Sequence, residues 1–422
     1  MITHIRRAGL LCALLCSASL LQAQNVLSLS AAIDLAIRKN PAIKKAGFEI
    51  AAAEARALIA GRIPNPTLGV SWNEASSLTK PGDGNERDFL LAQAIEFPTK
   101  RSARIDVASA EVRIRKLEFD RTVTVVKSLV ARSFYRLFYS QRRTEQLALQ
   151  LDLMRDLEKL VTARYGANAS SYLDMVRTKI ERARLGNDLV EARTEHEARQ
   201  RELSLMVGIE SAEIRGLAGE FPSLLNIVDP DSAARSLAAG SILLKSSLEA
   251  TKRQEYSMSL AKSSYVPDVQ IGVANQRRGN IRNLWGIELQ ASIPLWFWQE
   301  PRGQVNEAAA QIQMATVDRL ALDRQVVANV RDALGVLSAA ETQLLVFDRT
   351  LLADARDIVD TANKQYQNGQ MDILNLLEVF RTYRATQAEY LRAQFNHAIA
   401  VSRLVSAAEL PPDEPNGFGV QQ

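Results

Sequence analysis

Four segments of the chain alternate between apolar and small or polar residues, while most of the remainder repeats its apolar residues every three or four positions. In Thr67–Trp72, Leu68, Val70 and Trp72 oppose Thr67, Gly69 and Ser71. In Phe89–Phe97, Phe89, Leu91, Ile95 and Phe97 oppose Leu90, Ala92, Ala94 and Glu96, with Gln93 the one polar member of the first face. In Val269–Gln276, Val269, Ile271 and Val273 oppose Gln270, Gly272 and Ala274. In the fourth, Trp285, Ile287, Leu289, Ala291 and Ile293 oppose Gly286, Glu288, Gln290 and Ser292. Period two predicts strands with one apolar face, at about 66–75, 88–97, 268–276 and 284–293. SSLTKPGDGNER and a loop around QRRGNIRN, both polar and turn-rich, link them as two hairpins.

The other period is helical. No Pro or Gly occurs from Thr99 to Tyr165, and Val123, Val126, Val130, Phe134, Leu137, Leu147, Leu151, Met154, Leu157 and Val161 form one stripe. A second run from Gln304 to Asn368, with only Gly335 inside, carries Val326, Val330, Leu334 and Leu337. At ~1.5 Å per residue the first run could reach about 100 Å, longer than a compact domain uses. A plain coiled-coil rod would also fit these helices by themselves.

The chain is built twice. RIPNPTLGV at 62–70 matches YVPDVQIGV at 265–273 with an offset of 203, and RYGANASSYLDMV at 164–176 matches QYQNGQMDILNLL at 365–377 with an offset of 201. Each unit reads helix, two strands, long helix, tight turn, shorter helix. The expected divisions are a signal peptide at 1–23, a first repeat at 24–208 with its helical hairpin at 99–207, and a linker at 209–231. A second repeat at 232–410, with its hairpin at 300–410, and a flexible tail at 411–422 complete the chain. The turns around Tyr165, Gly166 and Asn168, and around Tyr366 and Gly369, force antiparallel neighbours, and Gly166 and Gly369 are expected to supply the backbone freedom for the reversal.

Composition narrows the destination. Arg6 and Arg7, then LLCALLCSASLL, then Ala23 read as a secretory leader. The only two cysteines, Cys12 and Cys16, lie in it, so disulfides and thiolate metal sites are not expected in the remainder, and Leu15 argues against acylation of Cys16. There are 52 Lys and Arg against 48 Asp and Glu, two of the former in the leader, so the balance points to neither nucleic acid nor a polyanionic substrate. Beyond the leader no apolar run is long enough for a membrane helix. His196 and His397 have no metal-ligand spacing, and no phosphate loop, Ser-His pairing or HExxH motif is present. No catalytic group, metal site or cofactor is expected.

The apolar strand faces need a partner, and the rest of the chain is amphipathic helix. Lipid is the alternative to a soluble sandwich. All four tryptophans, Trp72, Trp285, Trp296 and Trp298, fall in or beside the strands, as the aromatic girdles of membrane barrels do. Pro98 and Pro294 stand where each second strand hands over to a long helix. Four strands cannot close a barrel; three copies would supply twelve.

Together, AIDLAIRKNPAI, IPNPTLGV, QAIEFPTKRSAR, RYGANASSYLDMV and QYQNGQMDILNLLEV make the chain resemble the TolC family of outer-membrane efflux ducts over nearly its whole length after the leader. QAIEFPTKR looks most like the branch serving cobalt–zinc–cadmium exporters. The resemblance implies a mainly α fold with a membrane β-barrel contribution: a duplicated unit of long antiparallel helical hairpins plus four transmembrane strands, completed as an α/β-barrel by trimerisation. It implies outer-membrane lipid around the strands, a long periplasmic extension, a periplasmic adaptor (membrane fusion) protein docked at the tips, and an inner-membrane pump of the RND type. It places a gate at Asp174, Asn375 and Glu378, with Tyr366 and Met371 at neighbouring gate-locking positions. Asn375 and Met371 depart from the acidic and basic residues common there. The competing reading is a secreted or periplasmic coiled-coil interaction protein without a membrane span.

Overall fold

A computed structural model describes residues 26–73, 86–225, 227, 229–278, 281–347 and 349–411. The leader with Cys12 and Cys16, most of the first strand loop, Gly279 and Asn280 of the second, and the tail from residue 412 lie outside the described residues. In chain order the elements are β1 (Val26–Ser28), α1 (Leu29–Lys39), α2 (Pro41–Ala60), β2 (Thr67–Asn73), β3 (Glu86–Ile95), α3 (Pro98–Gly166) and α4 (Tyr172–Val207). Then come β4 (Gly216–Ala218), α5 (Pro230–Gly240), α6 (Ile242–Ser263), β5 (Asp268–Arg278), β6 (Ile281–Ser292), α7 (Glu300–Val346), α8 (Arg349–Gln367) and α9 (Ile373–Ala408). None of the described helices is long and apolar enough to cross a membrane. Among the described residues the chain divides into two compact units, one drawn from residues 45–120 and 242–325, the other from residues 26–44, 121–241 and 326–411.

The first of these holds an antiparallel sheet in the order β2-β3-β5-β6. Its register gathers the alternating residues into rows. Leu68, Leu91, Val273 and Ile287 lie side by side across the four strands, as do Val70, Phe89, Asn275 and Trp285. The opposite face carries Thr67, Ala92, Gly272 and Glu288 in one row and Gly69, Leu90, Ala274 and Gly286 in the next. Small residues on that second face let side chains from neighbouring strands lie flat: a Cβ on Gly272 would come 2.8 Å from Leu90 Cδ1.

Helix α3 begins on Pro98, where a missing N–H costs no helical bond. The carbonyl of Phe97 accepts from Lys100 and Arg101, so Phe97 already belongs to the helix start, and β3 ends two residues earlier than the alternation suggests. The following basic residues fasten the joint. Arg101 Nη2 donates to the Gly61 carbonyl at 2.7 Å, Arg104 Nε donates to the Ala60 carbonyl at 2.6 Å, and Arg104 also pairs with Glu96. These are orphan carbonyls at the end of α2, where a cation is favoured. Pro294 does not start a helix directly: β6 ends at Ser292, residues 295–299 turn, and α7 begins at Glu300.

In the other unit the predicted stripe is interior. Val123, Val126, Val130, Phe134 and Leu137 of α3 are all buried, as are Val326, Val330, Leu334 and Leu337 of α7. Phe134 and Phe138 stack at 6.3 Å, and Phe221 of the linker meets Phe138 edge-on at 5.0 Å. The linker is also structured: β4 within it pairs in parallel with β1. The second long helical run is interrupted, unlike the first. Phe347 leaves the helix, donates its N–H back to Leu344 at 3.1 Å and packs against the Tyr390 ring at 6.0 Å, so α8 is separate from α7. No Pro or Gly marks that break.

His397 of α9 is fully buried, with Nε2 3.6 Å from Glu341 Oε1 on α7. The same carboxylate oxygen accepts the Leu225 N–H of the linker at 2.7 Å. Burial pushes the imidazole below its ordinary value, against the pull of Glu341 and the Pro222 carbonyl. A base with a depressed folded value is neutral in the fold while the unfolded chain takes up protons. Its contribution is therefore present above about pH 6.5 and lost as the pH falls through that value towards the folded one. His397→Gln should flatten the fall in thermal midpoint on acidification below that pH. Parallel midpoint curves for the two proteins would show that His397 has no part in it.

Candidate functional sites at the hairpin tips and the sheet face

Helices α3 and α4 form one hairpin, α8 and α9 the other, and their ends share a core. Val161, Leu185, Leu376, Phe380 and Tyr366 are buried in it, with Met371 partly buried against it. The reversal in the first turn does not use Gly166, which is helical. The left-handed residue is Asn168 (φ 58°), a type that tolerates this conformation. Gly369 (φ 77°) occupies the matching place in the second turn. The correction is one of register: the residue at the offset of 201 from Gly369 is Asn168, not Gly166.

Asp174 closes a capping box. Its N–H donates to Ser171 Oγ at 3.1 Å, and Asp174 Oδ2 accepts the Ser171 N–H at 3.1 Å and the Ser170 hydroxyl at 3.2 Å. Partial burial opposes its ionisation, but these bonds and nearby Arg177 outweigh that and hold the carboxyl below its ordinary value. In the second hairpin the N-cap is Asp372, whose Oδ1 accepts the Asn375 N–H at 2.8 Å. The carboxylate has moved from the third helical position to the cap, which accounts locally for Asn375. Glu378 is exposed and lies 3.5 Å from Arg381.

Tyr366 is 4% exposed, whereas its repeat counterpart Tyr165 is exposed and packs on Tyr172 at 6.1 Å. The guanidinium of Arg164, a residue the sequence reading passed over, lies 5.1 Å from the Tyr366 ring centroid. Its Nη1 donates to the carbonyls of Tyr366 at 2.7 Å and Gln367 at 2.9 Å. Three further ties were not foreseen: Arg381 pairs with the buried carboxylate of Glu181, Arg384 with Asp188 at 3.2 Å, and Arg182 with Glu158 at 2.6 Å. One signal for Arg164 was in the repeat: its counterpart is Gln365, so the duplication is broken at that position.

On the sheet, Leu68, Trp72, Leu91, Trp285, Ile287 and Leu289 are exposed on a single face. Trp72 and Trp285 sit towards the hairpin loops; Trp296 and Trp298, both exposed, lie beyond the other end of the strands. The 10 residues of β3, at ~3.4 Å rise and about 40° tilt, would stand about 25 Å tall, the height of the apolar band of an outer-membrane barrel.

Comparison with known proteins agrees with this geometry. The cobalt-zinc-cadmium resistance protein CzcC of Cupriavidus metallidurans is 22% identical over 370 residues, which are 88% of this chain and 87% of CzcC. The fold is shared with the outer membrane protein VceC of Vibrio cholerae (TM-score 0.72, 16% identity, 90% of this chain and 96% of that one). It is shared too with the CmeC outer membrane channel of Campylobacter jejuni (TM-score 0.73, 15% identity, 92% and 87%). Residues 32–209 and 236–408, both repeats nearly whole, match one family, and the chain therefore belongs to the outer membrane efflux proteins: an efflux duct of the outer membrane, not an enzyme.

Proposed function

We propose that three copies of this chain close their sheets into one barrel and form the outer-membrane duct of a tripartite exporter. A periplasmic adaptor would dock at the hairpin tips, and an inner-membrane pump of the RND type would supply the energy. The observation that carries this reading is the sheet itself. Its outer strands β2 and β6 each pair on one side only among the described residues, and its apolar face is bare. Unpaired backbone groups are not tolerated against hydrocarbon, so the edges must meet other copies. Trp72 and Trp285 would then mark one membrane boundary, and Trp296 and Trp298 the periplasmic one.

At the tips, Tyr165, Tyr172, Leu173 and Leu374 offer exposed apolar surface suited to an adaptor. In this reading Glu378, exposed beside Arg381, is the gate carboxylate that faces the lumen, and Asp174 holds the helix start. The likeness to CzcC favours divalent metal cations as cargo. They would pass through a wet lumen, with selection made upstream by the pump. The detergent-extracted protein should have the mass of three copies, and deleting its gene should lower the host's tolerance of cobalt, zinc and cadmium. A monomer in detergent would overturn the ring. Unchanged metal tolerance with new sensitivity to organic compounds would overturn the cargo alone.

A further inference from the structure

We propose that Arg87 and Arg277, opposite each other at the loop end of the apolar sheet face, form a binding site for the phosphate of an outer-leaflet lipid headgroup. The inference rests on the apolar face meeting the lipid of the outer membrane, with the hairpin loops outermost.

The register sets the pair apart. Beyond the row Val70, Phe89, Asn275 and Trp285, the next row on the same face reads Trp72, Arg87 and Arg277. Glu86 and Asp88, the carboxylates on either side of Arg87, lie by alternation on the other face, where Asp88 Oδ2 is 3.5 Å from Ser71 Oγ. The cations thus stand on the face given to lipid and the anions on the face given to the lumen. The predominantly apolar rows run from Ile95, Val269 and Ala291 to the row of Trp285, and the arginine row is the next. At ~3.4 Å rise and about 40° tilt it stands about 10 Å above the row of Ile287, close to the edge of a ~25 Å apolar band. There a long side chain keeps its stem on apolar surface and its charge among headgroups.

Arg87 and Arg277 are partners in the β3–β5 register, and like charges directly opposite across a strand pair are unfavourable by themselves. A phosphate held by both turns that repulsion into two charge-assisted contacts, and the planar fork of arginine matches phosphate oxygens in pairs. The strand pairing also changes at this place. Pairing of β5 with β6 passes from Gln276 and Leu284 to Arg278 and Ile281, so two residues of β6 stand against Arg277. Asn283, one of the two, has φ 63°, a bulge of the kind that re-aims side chains. The two rows below have a member on every strand, whereas this row has none in register on β6. Trp72 in this row and Trp285 in the row below, both exposed, offer flat apolar surface to a sugar or an acyl chain. An arginine that merely reached for water would need neither a twin opposite it nor a bulge beside it.

The test titrates the full chain, purified in neutral detergent, with lipid A carrying its phosphates and with the same lipid stripped of them, and counts bound lipid by native mass spectrometry. The phosphorylated lipid should bind about tenfold more tightly. Inorganic phosphate at equal concentration should not displace it, because the acyl chains add their own burial. Arg87→Gln and Arg277→Gln should each remove most of the difference between the two lipids. Arg87→Lys, which keeps the charge but not the fork, should remove about half of it. Arg56→Gln takes the same charge from an exposed position on α2 and should leave the difference intact. Equal binding of the two lipids, or a loss as large in Arg56→Gln as in Arg87→Gln, would overturn the site. Displacement by inorganic phosphate would overturn the lipid as its occupant. The lysine variant supplies the reading should a glutamine variant not assemble, and binding by it equal to that of the unsubstituted chain would overturn the paired fork. Failure of the underlying reading looks different: a sheet that does not face lipid leaves the chain soluble without detergent and binding neither lipid.

Discussion

Ile287→Arg is expected to abolish recovery of the protein from the outer membrane, while Glu288→Arg, one residue on, leaves it near normal. Ile287 is 83% exposed and lies in the row Leu68, Leu91, Val273, Ile287, apolar from edge to edge. Arginine on a lipid face costs about 2–4 kcal/mol at the bilayer midplane, and in a ring of identical chains the cost recurs in every copy. Glu288 pairs with Gly272 on the opposite face, beside Ala92 and Thr67, where a polar lumen would accept a charge of either sign. The measurement is the yield of the protein in outer-membrane fractions. Equal yields from the two substitutions would mean that the faces are assigned the wrong way round, or that neither meets lipid.

These faces were legible because period two cannot be mistaken over ten residues, and a wrong register would have put Glu288 and Gln290 among the tryptophans. The long stripes were legible for the same reason at period 3.6, and Val130, Leu137, Val330 and Leu337 are all interior. Where the reading fell short, the deciding contact lies far away in sequence. At the break, the Phe347 ring lies beside Tyr390 of another helix. The two tip tyrosines align in the repeat, yet Tyr366 is buried under Arg164 and Tyr165 is not. Asp174 was expected as a gate group on likeness alone. Its spacing from Ser171 is that of a capping box, a local motif that could have been read directly. Asn168 shows the opposite lesson: glycine is the usual left-handed residue, but the repeat offset pointed to the asparagine.

Leu376→Ala should lower the thermal midpoint of the assembled protein substantially, and Leu374→Ala should barely change it. The two leucines stand two residues apart in the first turn of α9. Ile373, Leu376, Leu377 and Phe380 follow the three-and-four spacing and are all buried in the four-helix tip core, Leu376 completely. Truncating a buried leucine costs about 2–5 kcal/mol, depending on how far the surroundings collapse into the space. Here Val161, Leu185 and the Tyr366 ring belong to the same core, so a void would loosen the ring on which Arg164 lies. Leu374 is 51% exposed, like its repeat counterpart Leu173, and its loss should stay within about 0.5 kcal/mol. Its exposed apolar surface, without a role in the core, fits a partner's contact, so Leu374→Ala should instead weaken binding of the proposed periplasmic adaptor in a surface-plasmon measurement. Comparable midpoint losses for both leucines would place Leu374 in a core contact. Undiminished adaptor binding after Leu374→Ala would remove that residue from the docking surface.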